Sequence, residues 1–136
     1  MRELTVADMM TTRVKTVHED ESLSVADWDM VVGELRHLPV VDRDNHVVGM
    51  VSDRDLLRST ERPTSVSSVM TRTVNVIRAD ALAIEAVDQL IRFKHGALPV
   101  VDATGKLVGI VTSTDFLELA RRALSGLDVH QPHVRA

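Results

Sequence analysis

The sequence predicts an α/β (α+β) chain built from two copies of one β-α-β-β-α unit, and three observations carry that expectation. Sliding the chain against itself by 60 residues aligns Val6–Arg58 with Val66–Glu118 without a gap, and sixteen of the 53 pairs are identical. Within each copy, β-branched runs of strand type alternate with stretches of helical periodicity. The chain has 136 residues, 44% apolar and 26% charged, which suits one compact domain or two very small ones in close contact.

The elements follow in order. Val14–Val17 and Val74–Ile77 are short β-branched runs, read as the opening strands. His18–Ser22 then supplies capping residues and acids suited to a helix N-terminus. A first helix is expected to run to about Leu35. It carries Leu23, Ala26 and Met30 on one stripe and Trp28, Val31, Val32 and Leu35 beside it, a face wide enough for a sheet and a neighbouring helix. Its copy shows Ile84, Val87, Leu90 and Ile91. A hairpin follows in each copy, Leu38–Asp42 to Val47–Val51 and Leu98–Asp102 to Leu107–Val111. Asn45 and Gly105 fall in the turns, where backbone with positive φ is usual. Gly49 and Gly109 sit inside strands, where glycine weakens a ladder unless something approaches the backbone closely. A last helix starts near Asp53 in one copy and near Ser113 in the other, longer in the second. The expected boundaries are therefore 6–58 for repeat one, 59–65 for a polar linker, 66–124 for repeat two and 125–136 for a tail without periodicity.

Composition excludes several function classes. With no cysteine there are no disulfides, thiolate metal sites or cysteine nucleophiles. Sixteen basic against twenty acidic residues leave a net charge of −4, unlike a protein that lives on nucleic acid or an anionic membrane. The acids concentrate in residues 1–65, with 13 acids and 8 bases there against 7 and 8 in the remainder. The polar start MRELTVADMM lacks a signal-peptide core, and apolar runs stop at five residues, so a cytoplasmic protein without membrane insertion is expected. Trp28, Phe93 and Phe116 are the only aromatic residues, too few to stack bases along a strand. His130 and His133 have ligand-like spacing without acids or thiols nearby, and no metal site is expected; His95 reads as a helix-end residue.

The chemistry concentrates where the third strand leaves each hairpin. Repeat one reads Gly49-Met50-Val51-Ser52-Asp53-Arg54-Asp55, and repeat two Gly109-Ile110-Val111-Thr112-Ser113-Thr114-Asp115. A hydroxyl residue followed three positions later by an acid is first of all a helix cap. Such a helix end also accepts phosphate, and a carboxylate beside it can accept both hydroxyls of a ribose. Recurrence at the same place in both copies raises the signal above that of one cap.

Leu38-Pro39-Val40-Val41-Asp42 with its copy Leu98–Asp102, together with these two strand exits, resembles a tandem pair of cystathionine-β-synthase (CBS) domains, a Bateman module, over residues 6–118. The resemblance implies two units packed sheet to sheet about a pseudo-twofold axis, with two clefts between the repeats that bind AMP, ADP, ATP or S-adenosylmethionine. It assigns ribose recognition to Asp55 and Asp115, the hydroxyl position to Ser52 and Thr112, the residue before the aspartate to Arg54 and Thr114, and the adenine-flanking position to Met50 and Ile110. The pair ahead of the second strand, often basic in such proteins, is Arg36-His37 in repeat one and Gly96-Ala97 in repeat two. Unequal sites follow, with the Asp55 cleft the one suited to a charged ligand.

Three function classes compete. The first is a regulatory sensor with no catalytic residues, needing no cofactor beyond its regulatory adenine nucleotide, acting as a homodimer and signalling to a separate partner protein. The second is a ligand-free dimeric scaffold with vestigial clefts. The third is a nucleotide-processing enzyme, disfavoured because no P-loop, histidine–nucleophile pair or carboxylate dyad is visible.

Overall fold

Strands and helices form in the order the repeat predicts, in a computed structural model that describes residues 3–58, 65–94 and 96–126. After a helical turn α1 (Val6–Met9), the first copy runs β1 (Val17–His18), α2 (Leu23–Gly33), β2 (His37–Val41), β3 (Val47–Ser52) and α3 (Asp53–Arg58). A 3-10 turn at Val66–Ser68 precedes the second copy: β4 (Ile77–Arg78), α4 (Ala83–Phe93), β5 (Ala97–Val101), β6 (Leu107–Thr112) and α5 (Ser113–Leu124). Each copy makes one three-stranded sheet, ordered β1-β2-β3 and β4-β5-β6, with β1 parallel to β2 and β4 parallel to β5. Residues 59–64 of the expected linker and 127–136 of the tail lie outside the described residues, as do His95, His130 and His133.

Two compact units result, and each recruits a segment from ahead of the other repeat. The first comprises 15–74 with 105–107; the second comprises the N-terminal segment to Val14 with 75–104 and the chain from Val108. In the second unit, the N–H groups of Val6 and Ala7 donate to the carbonyls of Ala81 and Ala79 at 2.8 and 3.0 Å. Val66 and Ser67 do the same in the first, donating to Glu21 and Glu19 at 2.8 and 2.9 Å. Val6 and Val66 are fully buried, each within its unit's core. Matching positions supply most of the rest, Val17, Ala26, Met30, Leu38, Val40 and Val51 in one and Ile77, Ala86, Leu90, Leu98, Val100 and Val111 in the other, and Leu23 and Met70 join the first.

Three expectations need correction. The opening strands are two residues long and begin at Val17 and Ile77, because the residues before them carry the chain away from the exchanged segments. The first helix ends at Gly33, not near Leu35, because Glu34 turns into the left-handed region at φ 53°. Its copy ends the same way at Lys94, with φ 54°. Finally, only one stripe of α2 is covered: Leu23, Ala26 and Met30 are buried, whereas Trp28 is 69% exposed and Val31 67%.

The strand glycines behave as expected. A Cβ on Gly49 would lie 2.6 Å from Met70 Sδ and 3.0 Å from the Thr71 carbonyl oxygen. On Gly109 it would lie 2.6 Å from Met10 Sδ and 3.1 Å from the Thr11 carbonyl oxygen. The close approach is the exchanged segment itself, paired edge to edge as Met50 with Thr71 and Ile110 with Thr11.

Candidate functional site

Each strand exit forms a site within its own unit. In the first, antiparallel pairing sets His37 opposite Ser52, so the residues ahead of β2 sit beside the start of α3. The Asp53 N–H donates to the Arg36 carbonyl at 3.0 Å, tying the two segments together. Ser52 and Asp55 cap each other: the Ser52 N–H donates to Asp55 Oδ2 at 2.8 Å, and the Asp55 N–H donates to Ser52 Oγ at 3.2 Å. Asp55, Ser52, Met50 and His37 are half-buried, and Arg36 and Arg54 are exposed. The fold thus gathers all six residues singled out in repeat one around one helix start. The half-buried Asp55 stands at that helix start, and the backbone around it carries Arg36, His37 and Arg54.

The second site repeats the backbone and changes the chemistry. The Thr112 N–H donates to Asp115 Oδ2 at 2.7 Å, and the Thr112 hydroxyl donates to the same oxygen at 3.2 Å. The other oxygen, Oδ1, accepts the hydroxyl of Thr11 at 3.1 Å, across 104 residues of sequence. Asp115 is 0% exposed and is the one buried charged side chain among the described residues. Ile110 is half-buried and Thr114 exposed. Gly96 and Ala97 bring no charge: Gly96 contributes only its carbonyl, which accepts the Ser113 N–H at 3.3 Å. A buried carboxylate needs hydrogen-bond donors, and this chain supplies them itself.

Thr11 is a member of the second site that the motifs alone did not flag. The signal was present, since Met10-Thr11 recurs as Met70-Thr71 in the 60-residue alignment. The two hydroxyls nonetheless differ in use, for Thr71 is exposed while Thr11 reaches the buried acid.

Comparison with known proteins agrees with this architecture. A family model described as the CBS domain matches residues 6–61 and again 66–122. A CBS domain-containing protein of Dictyostelium discoideum is 31% identical over 134 residues, covering 88% of this chain and 92% of its own length. The crystal structure of CBSX2 from Arabidopsis thaliana in complex with AMP superposes with a TM-score of 0.81 at 33% identity, covering 89% of this chain and 98% of that one. The CBS domain pair of protein MJ0100, in complex with 5′-methylthioadenosine and S-adenosyl-L-methionine, superposes with a TM-score of 0.82 at 25% identity, covering 90% and 99%. The chain spans only 24% of the homoserine O-acetyltransferase of Methanococcoides burtonii and 23% of the mycobacterial inosine-5′-monophosphate dehydrogenases that it also matches.

Proposed function

Because the chain belongs to the CBS domain family as a tandem pair, we propose that it is a regulatory module that binds an adenosine-containing ligand at the Asp55 site. The observation that carries this reading is the half-buried Asp55 at a helix start whose neighbouring backbone also carries Arg36, His37 and Arg54. The carboxylate accepts the ribose hydroxyls, Met50 flanks the base, and the cationic groups meet the phosphates. AMP, ADP and ATP are the ligands such a cluster suits, and more phosphate gives the guanidinium groups more to hold. S-adenosylmethionine is cationic and would use the carboxylate without them.

Regulation then follows from differential affinity: a ligand that binds one conformation of the pair better populates it, and a partner protein reads the change. The module acts as a homodimer in the cytoplasm, without catalysis of its own. A second reading applies at Asp115, where complete burial and the Thr11 hydroxyl support a structural role. There a ribose would have to displace Thr11 from Oδ1 before it could bind.

A thermal-shift panel of AMP, ADP, ATP and S-adenosylmethionine on wild type, Asp55→Asn and Asp115→Asn tests the proposal. Each variant is compared with its own ligand-free midpoint. A ligand at 100 times its dissociation constant adds about 2.7 kcal/mol. The expected result is an adenine-nucleotide shift that Asp55→Asn removes and Asp115→Asn retains. A flat panel on wild type overturns the sensor reading in favour of a ligand-free scaffold. Turnover of the bound nucleotide overturns the non-catalytic part.

A further inference from the structure

With no cysteine in the chain, its six methionines carry all of its sulfur, and they are unequally sheltered. Among the described residues Met9, Met30 and Met70 are 3%, 5% and 8% exposed, whereas Met10 and Met50 are half-buried. Met10 closes α1 and packs on the second unit's core, with its sulfur against Gly109. A Cβ on that glycine would lie 2.6 Å from Met10 Sδ and 3.0 Å from Met10 Cγ. The next residue, Thr11, holds Ile110 through two backbone hydrogen bonds of 2.9 Å and gives its hydroxyl to Asp115 Oδ1 at 3.1 Å. A reachable thioether thus stands directly beside the residue that fastens the N-terminal segment. In the first unit Met70 makes the same contact with Gly49, but there the side chain belongs to the buried core.

We propose that Met10 is a peroxide-sensitive latch: oxidation of its thioether to the sulfoxide releases the N-terminal segment from the second unit. The sulfur takes one oxygen from hydrogen peroxide. The S–O bond forms as the O–O bond breaks, the sulfur gives up two electrons, and the other oxygen leaves as water. The product is polar and carries an extra atom on a sulfur that already touches the Gly109 backbone. Holding that oxygen against an apolar core without a donor is unfavourable, so the side chain withdraws. The Thr11–Ile110 pairing and the Thr11 bond to Asp115 on the adjoining residue go with it. Burial of Met70 keeps the matching segment of the first unit in place, so the response is confined to one unit. Enzymatic reduction of the sulfoxide restores the thioether, which makes the latch reversible. The inference goes beyond the ligand reading and does not depend on it.

The folded full-length chain is treated with hydrogen peroxide, and fragmentation of its proteolytic peptides between Met9 and Met10 assigns the added oxygen. Met10 sulfoxide is expected to form several-fold faster than the sulfoxides of Met9, Met30 and Met70. Amide hydrogen exchange then reads the segment itself. The N–H groups of Val6, Ala7 and Thr11, which donate to Ala81, Ala79 and Ile110, should exchange about tenfold faster after oxidation. Those of Val66 and Ser67, their counterparts in the first unit, should keep their rates. Methionine sulfoxide reductase restores slow exchange, and Met10→Leu, similar in volume but without sulfur, retains it under peroxide. Oxidation of Met10 that leaves the three amides protected overturns the latch. So does oxidation of Met9, Met30 and Met70 at the rate of Met10, which marks global unfolding. Loss of protection that persists in Met10→Leu also overturns it and moves the sensitive sulfur to Met50. If Met10→Leu does not fold, the wild-type map and its reversal by the reductase decide the question alone.

Discussion

Replacing Thr11 with valine removes one hydroxyl and keeps the shape of the side chain, so it isolates a single hydrogen bond to a buried acid. In the folded chain that hydroxyl donates to Asp115 Oδ1 at 3.1 Å, and Asp115 is 0% exposed. A hydrogen bond to a charged group contributes about 1.5–3 kcal/mol, and a buried acceptor left without its donor costs an amount in the same range. Thr11→Val is therefore expected to lose about 2 kcal/mol, which lowers a urea midpoint by roughly 1 M for a protein of this size. The repeat supplies the control: Thr71→Val alters the matching position, where the threonine is exposed, and is expected to change stability by under about 0.5 kcal/mol. Urea titrations followed by circular dichroism on wild type and both variants measure the difference. If Thr11→Val unfolds at the wild-type midpoint, or the two variants fall together, the Asp115 carboxylate does not depend on Thr11 and the account of the second site fails.

Other perturbations reach other parts of the fold. Gly49→Ala and Gly109→Ala push a methyl group against a methionine sulfur and a threonine carbonyl, and each is expected to cost about 1–3 kcal/mol in a thermal melt. Trimming Met70 to alanine in the Gly49→Ala background is expected to deepen the loss, because Met70 belongs to the first unit's core and its removal opens a cavity there. Glu34→Gly and Lys94→Gly relieve left-handed residues at φ 53° and 54° and should each raise stability by roughly 0.5–1 kcal/mol in the same melts. Asp42 is held below the ordinary aspartate value, chiefly by the His46 N–H that donates to it and also by that of Asp44. Its folded-state value is the lower one, so its stabilisation is present above about pH 4 and is lost as pH falls through that value. Melting curves of Asp42→Asn should accordingly lie below wild type at neutral pH and converge with it under acid conditions.

The hairpins were legible in the sequence because local chemistry decides them: Asn45 and Gly105 take φ of 66° and 88°, the conformations their residue types tolerate. The strand exits were legible because duplication repeats a signal that one cap would leave ambiguous. Periodicity located the helices but could not say what covers each stripe, and so Trp28 and Val31 were expected against neighbours that the folded chain does not provide. The exchange of opening segments was the largest omission. Val6 and Val66 are buried by contacts far along the chain or across a repeat boundary, and no window of local residues encodes that choice. For the same reason the two aspartates looked alike, although one of them is fully buried and accepts a hydroxyl from a residue 104 positions away.

The order of synthesis gives the exchanged segments a further meaning. Val6, Ala7 and Thr11 leave the ribosome ahead of both repeats' sheets, yet their places lie against Ala81, Ala79 and Ile110, which appear some seventy to a hundred residues later. The first unit meanwhile lacks Val66–Thr71, the piece that fills its own slot. For as long as that slot stands empty, the nascent chain already holds a near-copy of the missing piece, identical at Val6, Met10 and Thr11. Long-range pairing of this kind slows folding, and a look-alike segment adds a register that must be abandoned before the native one can close. The duplication that built the two units thus also gives folding an internal competitor, and the residues that differ between the two segments, Ala7 to Met9 against Ser67 to Val69, are the ones left to tell the slots apart.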